Sequence, residues 1–226
     1  HHSLKKLADS LQRLGSRLII LRGPYLATLR KLVGAAGADA VYWNRRYEPD
    51  AAKLDHRVEQ ALLDDGLRVE TFNGRLLFEP AETWNQQGRP FQVFTAYWRA
   101  CLKVAEPDRP ISSASKLPSP GKWPSSLSVD ALGLAPRANW AEGIGAAWCP
   151  GEQGAKDQLR RFLAKGLAEY ATDRDFPDRT GTSRLSPHLH FGEISPRQVW
   201  HAVQTKLKRG SGKGIRRAAE VFLREL

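Results

Sequence analysis

Apolar residues recur at helical spacing in three stretches of the first third of the chain, and short apolar runs separate these stretches. The helical stretches cover residues 4–14, 26–33 and 54–62, and glycines that suit a helix end follow them: Gly15, Gly34 and Gly66. The short runs predict strands at Arg17–Leu21, Ala40–Trp43 and Leu67–Phe72. Strands that alternate with helices favour a parallel, Rossmann-like α/β sheet with crossover helices.

The pattern changes twice further along the chain. Residues 79–147 are rich in proline, serine, glycine and isolated tryptophan, and predict a long linker with little regular structure. From residue 148 the pattern is helical, with apolar stripes at Leu159–Tyr170 and Val199–Leu207. We therefore expect an α/β part over residues 1–78, a linker over 79–147 and the beginning of an all-α domain over 148–226. The chain has no methionine and its last helical pattern has no stop residue, so we expect an internal stretch cut at both ends.

Composition narrows the class of protein. The chain of 226 residues carries a formal net charge of +11, which favours a polyanionic partner such as nucleic acid, although a soluble basic protein without such a partner has the same charge. Cys101 and Cys149 are too few for a disulfide framework and lack metal-ligand spacing, which favours the reducing cytoplasm. No apolar run approaches the roughly 18 residues of a membrane span. We expect a cytoplasmic monomer with no metal site.

The segment 181–200 carries the most specific signal. Its two Ser-Pro steps, Ser186-Pro187 and Ser195-Pro196, each predict a helix start with serine as the N-cap. The hydroxyls of Thr182 and Ser183 precede the first step, beside free helix-start N–H groups that suit a phosphate or diphosphate. The alternative is that these hydroxyls only cap the helix. His188 and His190 lie on different helix faces, which favours surface or packing roles over a metal site.

Several motifs resemble those of one known family. Tyr170-x3-Arg174-Asp175-x-Pro177 followed by Thr182-Ser183-x-Leu185-Ser186-Pro187 resembles the start of the flavin domain of the DNA photolyase/cryptochrome family. Residues 43–49, 76–80 and 92–99 also resemble family motifs, in family order. The resemblance is strongest to the bacterial class I enzymes that repair cyclobutane pyrimidine dimers. It implies the α/β domain, linker and helical FAD domain expected above.

The resemblance also implies roles for individual residues. It places Arg174 where the family contacts the DNA backbone, and an ion pair with Asp173 or Asp175 is the alternative for that side chain. It places Glu225 where the family has a catalytic glutamate that hydrogen-bonds the flipped-out dimer. Phe222 matches a flavin-lining position, although core packing also accounts for it. The residues that the resemblance assigns to FAD binding are Tyr170, Thr182, Ser183, Arg184, Leu185, Ser186 and Phe222.

The implied activity is light-driven repair of ultraviolet-damaged DNA by electron transfer from excited, reduced FAD. We expect the whole protein to be a deoxyribodipyrimidine photo-lyase and this stretch alone to be inactive. A cryptochrome-type photoreceptor without repair is the alternative, and a non-flavin nucleotide-binding module is a third. Many relatives carry a second, antenna chromophore of the folate or deazaflavin type. Ala51 stands where folate-using members have a glutamate, which leaves the antenna open.

Overall fold

The computed structural model of the chain describes residues 1–104, 106–136, 139–210 and 212–226. They form two compact units, one of residues 1–74 and 112–151 and the other of residues 75–111 and 152–226. The segment predicted as a linker is divided between them, and its residues 105, 137 and 138 lie outside the described part of the chain. The functional division at residues 78 and 147 stays a prediction.

The two units contain ten helices and two strands among the described residues. The strands are β1 (Ala40–Asn44) and β2 (Arg68–Phe72). The helices are α1 (His2–Arg13), α2 (Tyr25–Ala36), α3 (Pro49–Asp64), α4 (Phe94–Cys101), α5 (Glu142–Ala147), α6 (Glu152–Arg161), α7 (Tyr170–Asp173), α8 (Ser186–His190), α9 (Pro196–Lys208) and α10 (Lys213–Leu223).

The first unit has the predicted parallel α/β arrangement. Strands β1 and β2 pair in parallel, with a register that runs from Ala40 opposite Arg68 to Asn44 opposite Phe72. Helix α3 connects them and buries Val58 and Leu62. This crossover confirms the fold class, because two parallel strands need such a connection between them.

Two predictions in this unit are wrong. Residues 17–21 do not form a strand: the N–H of Ile20 donates to Ser126 Oγ (2.8 Å) and its carbonyl accepts from Leu127 N (2.9 Å), so a loop satisfies the backbone there without a strand ladder. Helix α2 also continues through Gly34 and stops at Gly37, which has a left-handed backbone (φ 61°). Gly34 remains helical because an isolated glycine weakens a helix without ending it.

The second unit is helical and has the larger buried core. Helix α6 continues into a π-helical turn over Phe162–Gly166, and the predicted stripe of Leu159–Tyr170 is buried except for the partly buried Leu163. Val199, Trp200 and Val203 of α9 join the same core, as predicted. Within the expected linker, residues 94–101 form α4 and residues 142–147 form α5, which the sequence pattern did not predict.

Candidate cofactor and nucleic-acid site

The ends of α7 and α10 bring together the side chains of Arg174 and Glu225. Arg174 is the C-cap of α7, and Glu225 follows the C-cap of α10. Arg174 Nη1 donates to Glu225 Oε1 at 2.6 Å, across 51 residues of sequence. A second carboxylate, that of Asp175, lies 3.6 Å from Arg174 Nε. The expected DNA-binding and catalytic residues are therefore in direct contact, and the main partner of Arg174 is Glu225 rather than Asp173 or Asp175.

Three aromatic rings hold this pair in position. The ring centroids of Phe162 and Phe222 are 4.6 Å apart, and the Tyr170 ring meets Phe222 edge to face at 5.1 Å. The guanidinium of Arg174 lies over the Tyr170 ring, 5.5 Å from its centroid. Such ring pairs have a preferred mutual orientation, so they fix how α10 packs on α7. Their packing thereby sets the distance between Arg174 and Glu225.

Local electrostatics differ between the ring and the ion pair. Burial raises the pKa of Tyr170, and the nearby Arg174 opposes that rise in part. The hydrogen bond to Glu225 raises the pKa of Arg174, which keeps the guanidinium charged. Tyr170 therefore stays a neutral hydrogen-bonding phenol beside a permanent cation. The ion pair itself is partly exposed, with side chains 29% (Arg174) and 50% (Glu225) accessible, so an anion in solution can compete with Glu225 for Arg174.

The loop before α8 presents the predicted hydroxyls and is tightly constrained. At Gly181 a side-chain Cβ would lie 2.5 Å from the carbonyl oxygen of Asp173, so only glycine fits without a shift. Gln158 Nε2 of α6 donates to the Ser183 carbonyl at 2.8 Å. Arg184 has a left-handed backbone (φ 54°), an uncommon conformation for a residue with a side chain. Thr182 is exposed, and Ser183 and Arg184 are partly exposed.

The prediction that both Ser-Pro serines cap helices is half right. Ser195 is the N-cap of α9: its hydroxyl accepts from Gln198 N at 3.2 Å, and the Gln198 side chain accepts in return from Ser195 N at 2.8 Å. Ser186 is not a cap, because Leu185 occupies the N-cap position of α8 and its carbonyl accepts from Leu189 N. The left-handed turn at Arg184 moves the helix start one residue earlier and leaves the Ser186 side chain exposed.

A concave surface of about 500 Å³ adjoins this loop. Thr182 and Arg184 line it, together with residues that the sequence reasoning missed: Gln158, Arg161, Phe162, Lys165, Gly166, Asp173, Asp178, Arg179 and Thr180. Arg161 and Lys165 have no carboxylate partner among the described residues, whereas Arg179 pairs with Asp173 at 2.6 Å. Arg161 Nη1 donates to Gln158 Oε1 at 3.1 Å, and a hydroxyl beside such cations is a donor set that suits a diphosphate. The signal available in the sequence was the spacing of Gln158, Arg161 and Lys165, which share one helix face.

The other predicted cofactor residues are buried. Leu185, Tyr170 and Phe222 are 1%, 7% and 4% exposed and pack in the core of the second unit. His188 is buried as well, and its Nδ1 lies 2.5 Å from Glu193 Oε2, whereas His190 is exposed. The two histidines therefore lie in different surroundings, His188 buried against Glu193 and His190 at the surface. The cofactor roles of the buried residues stay predictions.

Similar proteins place the chain in a family. The family model for DNA photolyase matches residues 1–119. A deoxyribodipyrimidine photo-lyase of Agrobacterium fabrum is 43% identical over 90% of the chain and 43% of its own length. Cryptochrome-1 of Arabidopsis thaliana is 36% identical over 91% of the chain and 30% of its own length. The chain thus spans less than half the length of either relative.

A solved structure matches the whole chain. The crystal structure of a bacterial class III photolyase from Agrobacterium tumefaciens superposes with a TM-score of 0.92 at 41% identity, over 100% of this chain and 47% of that one. The placement in class I therefore stays a prediction, beside a similar structure described as class III. Among the described residues, no helix has the length and apolar character needed to cross a membrane. The matches in sequence and in fold agree: the chain belongs to the DNA photolyase/cryptochrome family.

Proposed function

We propose that the protein is a light-driven DNA repair flavoenzyme that splits cyclobutane pyrimidine dimers. The observation that carries this proposal is the contact between Arg174 and Glu225 beside the Tyr170 ring. Arg174 supplies a permanent cation for a DNA phosphate, and Glu225 supplies a carboxyl group for a base edge. A damaged strand that binds here presents both a phosphate and a base, so it engages both residues.

The proposed cofactor is FAD, and the donor groups of the second unit suit it. Thr182 and the cations Arg161, Lys165 and Arg184 line one concave surface, which matches a diphosphate and its neighbouring hydroxyls. Ser183 lies beside this surface on the same loop, and the exposed Ser186 hydroxyl follows it. When bound and reduced, FAD supplies the light-excited electron. The antenna chromophore, of folate or deazaflavin type, remains without an assigned site.

The residues of the chain have separable tasks in this mechanism. Arg174 leaves Glu225 and binds the phosphate beside the lesion, which frees the Glu225 carboxyl group. The released carboxylate takes up a proton from water, hydrogen-bonds the pyrimidine edge and shares that proton as negative charge arrives on the base. Tyr170 stays neutral because burial raises its pKa, and the face of its ring lies against the guanidinium of Arg174. Phe222 and Leu185 keep water out of the interior behind the site.

One experiment with two readouts tests the proposal. The whole protein, of which this chain is expected to be a part, is loaded with FAD, reduced, mixed with an oligonucleotide that carries one thymine dimer and exposed to blue light. We expect a higher affinity for the duplex with the dimer than for the undamaged duplex. We also expect the dimer to disappear under blue light. Absence of both would contradict repair.

A cryptochrome-type photoreceptor is the second candidate. It is supported by the 36% identity to cryptochrome-1 of Arabidopsis thaliana. A photoreceptor keeps the flavin site without needing Arg174 to open. Light-dependent flavin reduction without any preference for damaged DNA would favour this candidate over repair.

A further inference from the structure

A second concave surface of the helical unit has no role in the proposed mechanism. We call it the α4 groove, and it has a volume of about 590 Å³. Its lining residues are Trp84, Asn85, Gln86, Gln87, Phe91, Ala96, Arg99, Ala100 and Lys103. Two aromatic rings lie on one side and two cations on the other, and none of the lining residues is acidic.

The aromatic side of the α4 groove is held in place by the backbone. Asn85 Oδ1 accepts from Gln87 N (2.9 Å) and Arg89 N (3.0 Å), and Asn85 N donates to the Arg89 carbonyl (2.8 Å). These hydrogen bonds close the turn of residues 85–89 and thereby restrain the backbone at its two flanks, where Trp84 and Phe91 lie. Trp84 nevertheless remains 53% exposed. A large ring that is both held and exposed is available for stacking.

The cationic side is free to bind an anion. Arg99 and Lys103 are exposed, and neither has an ion-pair partner within the described ranges. Glu82, the acidic residue closest to Trp84 in sequence, does not line the groove: its carboxyl group accepts from Glu79 N at 2.9 Å and closes the cap of the 3-10 turn Pro80–Thr83. The two cations therefore face a groove that lacks a counter-charge and contains amide and aromatic side chains.

We infer that the α4 groove binds an unpaired stretch of a DNA strand, with a base stacked on Trp84 and its phosphates on Arg99 and Lys103. Aromatic rings beside cations are the common means of holding single strands without base specificity. Trp84 also lines a second concave surface, to which Glu225 contributes, so the α4 groove adjoins the surface that Glu225 lines. The inference rests on the proposed DNA-binding function and extends the contact surface beyond the lesion.

The test measures binding of the chain to a fluorescein-labelled dT12 oligonucleotide by anisotropy, over a series of salt concentrations. We expect R99Q/K103Q to weaken binding and to reduce the slope of log Kd against log salt by about 1.4, since each single-strand phosphate contact contributes about 0.7. W84A should weaken binding at least about fivefold, and W84F should recover most of it because phenylalanine still stacks.

Matched controls are available in the first unit. R22Q/K31Q removes the same charge from exposed positions, and W140A removes a tryptophan that is 71% exposed. Groove variants that bind dT12 within twofold of these controls would overturn the inference. Concentration-dependent self-association that W84A abolishes would overturn it too, because a second copy would then occupy the α4 groove.

The outcome is separable from that of the proposed repair function. Arg174→Ala should lose affinity for the dimer duplex and keep an affinity for dT12 close to that of the wild type. If Arg174→Ala behaves in this way and the groove variants bind normally, the α4 groove inference fails and the repair proposal stands. If the groove variants lose affinity for dT12 while Arg174→Ala keeps its affinity for the dimer duplex, the repair proposal fails and the α4 groove inference stands.

Discussion

Arg174 Nη1 and Glu225 Oε1 lie 2.6 Å apart, so one ion pair joins the residue expected to bind DNA to the residue expected to act on the lesion. In this ion pair the two charges neutralise each other. A phosphate that binds Arg174 must compete with Glu225, and that competition frees the carboxyl group. Substrate binding and exposure of Glu225 are thereby linked, which leads to separate predictions for the two side chains.

Arg174→Ala should weaken binding to a duplex that contains a thymine dimer. The substitution removes one phosphate contact, so the slope of log Kd against log salt should fall by about 0.9. The free energy of unfolding should change by less than about 1 kcal/mol, because the ion pair is partly exposed. Anisotropy titrations measure the slope, and Arg22→Ala, at an exposed position of the first unit, is the control. An unchanged slope would refute the phosphate contact.

Glu225→Gln should separate binding from chemistry. The amide no longer pairs with the charge of Arg174, so affinity for the dimer duplex should stay equal or rise. The repair yield per absorbed photon should fall, because an amide, unlike a carboxylate, cannot take up a proton and pass it to the base. Glu220→Gln, at an exposed position of α10, the helix that precedes Glu225, is the control. Normal repair by Glu225→Gln would exclude a proton-sharing role for this residue.

Gly181→Ala should disturb the loop that carries Thr182 and Ser183. The new Cβ would lie 2.5 Å from the Asp173 carbonyl oxygen, so the backbone must shift, at a cost of about 1–3 kcal/mol in the free energy of unfolding. Gly214→Ala meets no atom within 4 Å and should be neutral or up to about 1 kcal/mol more stable. Urea unfolding measures both. Equal stability of the two variants would mean that the loop is free to move.

Ser195→Ala and Ser186→Ala should differ although both serines precede proline. Ser195 accepts a hydrogen bond from Gln198 N, and its loss should cost about 1 kcal/mol. Ser186 has no capping bond and an exposed side chain, so its loss should change stability by less than about 0.5 kcal/mol. Thermal unfolding of the two variants gives the comparison. A cost at Ser186 equal to that at Ser195 would restore its predicted capping role.

Tyr97 should make the second unit sensitive to alkaline pH. Burial is the main cause that raises the pKa of Tyr97 to about 12 from 10.0, and a hydrogen bond with Cys101 adds to it. The folded state therefore holds the phenol proton more tightly than the unfolded state. The stabilisation is complete below pH 10 and is lost as the pH rises towards 12. Urea unfolding across this range measures the loss.

Tyr97→Phe is the matching variant, since it removes the proton and keeps the ring. Its stability should depend less on pH above pH 10 than that of the wild type. Tyr25→Phe changes a tyrosine that is 48% exposed and should leave the alkaline profile unaltered. The difference in tyrosinate absorbance between wild type and Tyr97→Phe, followed against pH, reports the ionisation of Tyr97. Parallel alkaline profiles of wild type and Tyr97→Phe would refute the assignment.

The residues by themselves determined the features that depend on neighbours along the chain. Apolar spacing predicted α1, α3, β1, β2 and the buried stripes of the second unit, because helix and strand periodicity follow from local geometry. The Ser195 cap was predictable because both of its hydrogen bonds close within three residues. The family motifs predicted the fold class for a similar reason, since they are short and contiguous.

Tertiary structure decided everything that depends on the path of the chain between distant residues. The run 17–21 has the composition of a strand, but its backbone groups bond to residues 126 and 127 instead of a strand ladder. The N-cap position of α8 is occupied by Leu185 and not by Ser186, because the left-handed turn at Arg184 places the helix start one residue earlier. Arg174 had two adjacent aspartates in sequence, yet the packing of Phe222 against Tyr170 brings Glu225 to it across 51 residues. Contacts of this kind arise only when buried rings fix one helix on another, and no local pattern encodes that placement.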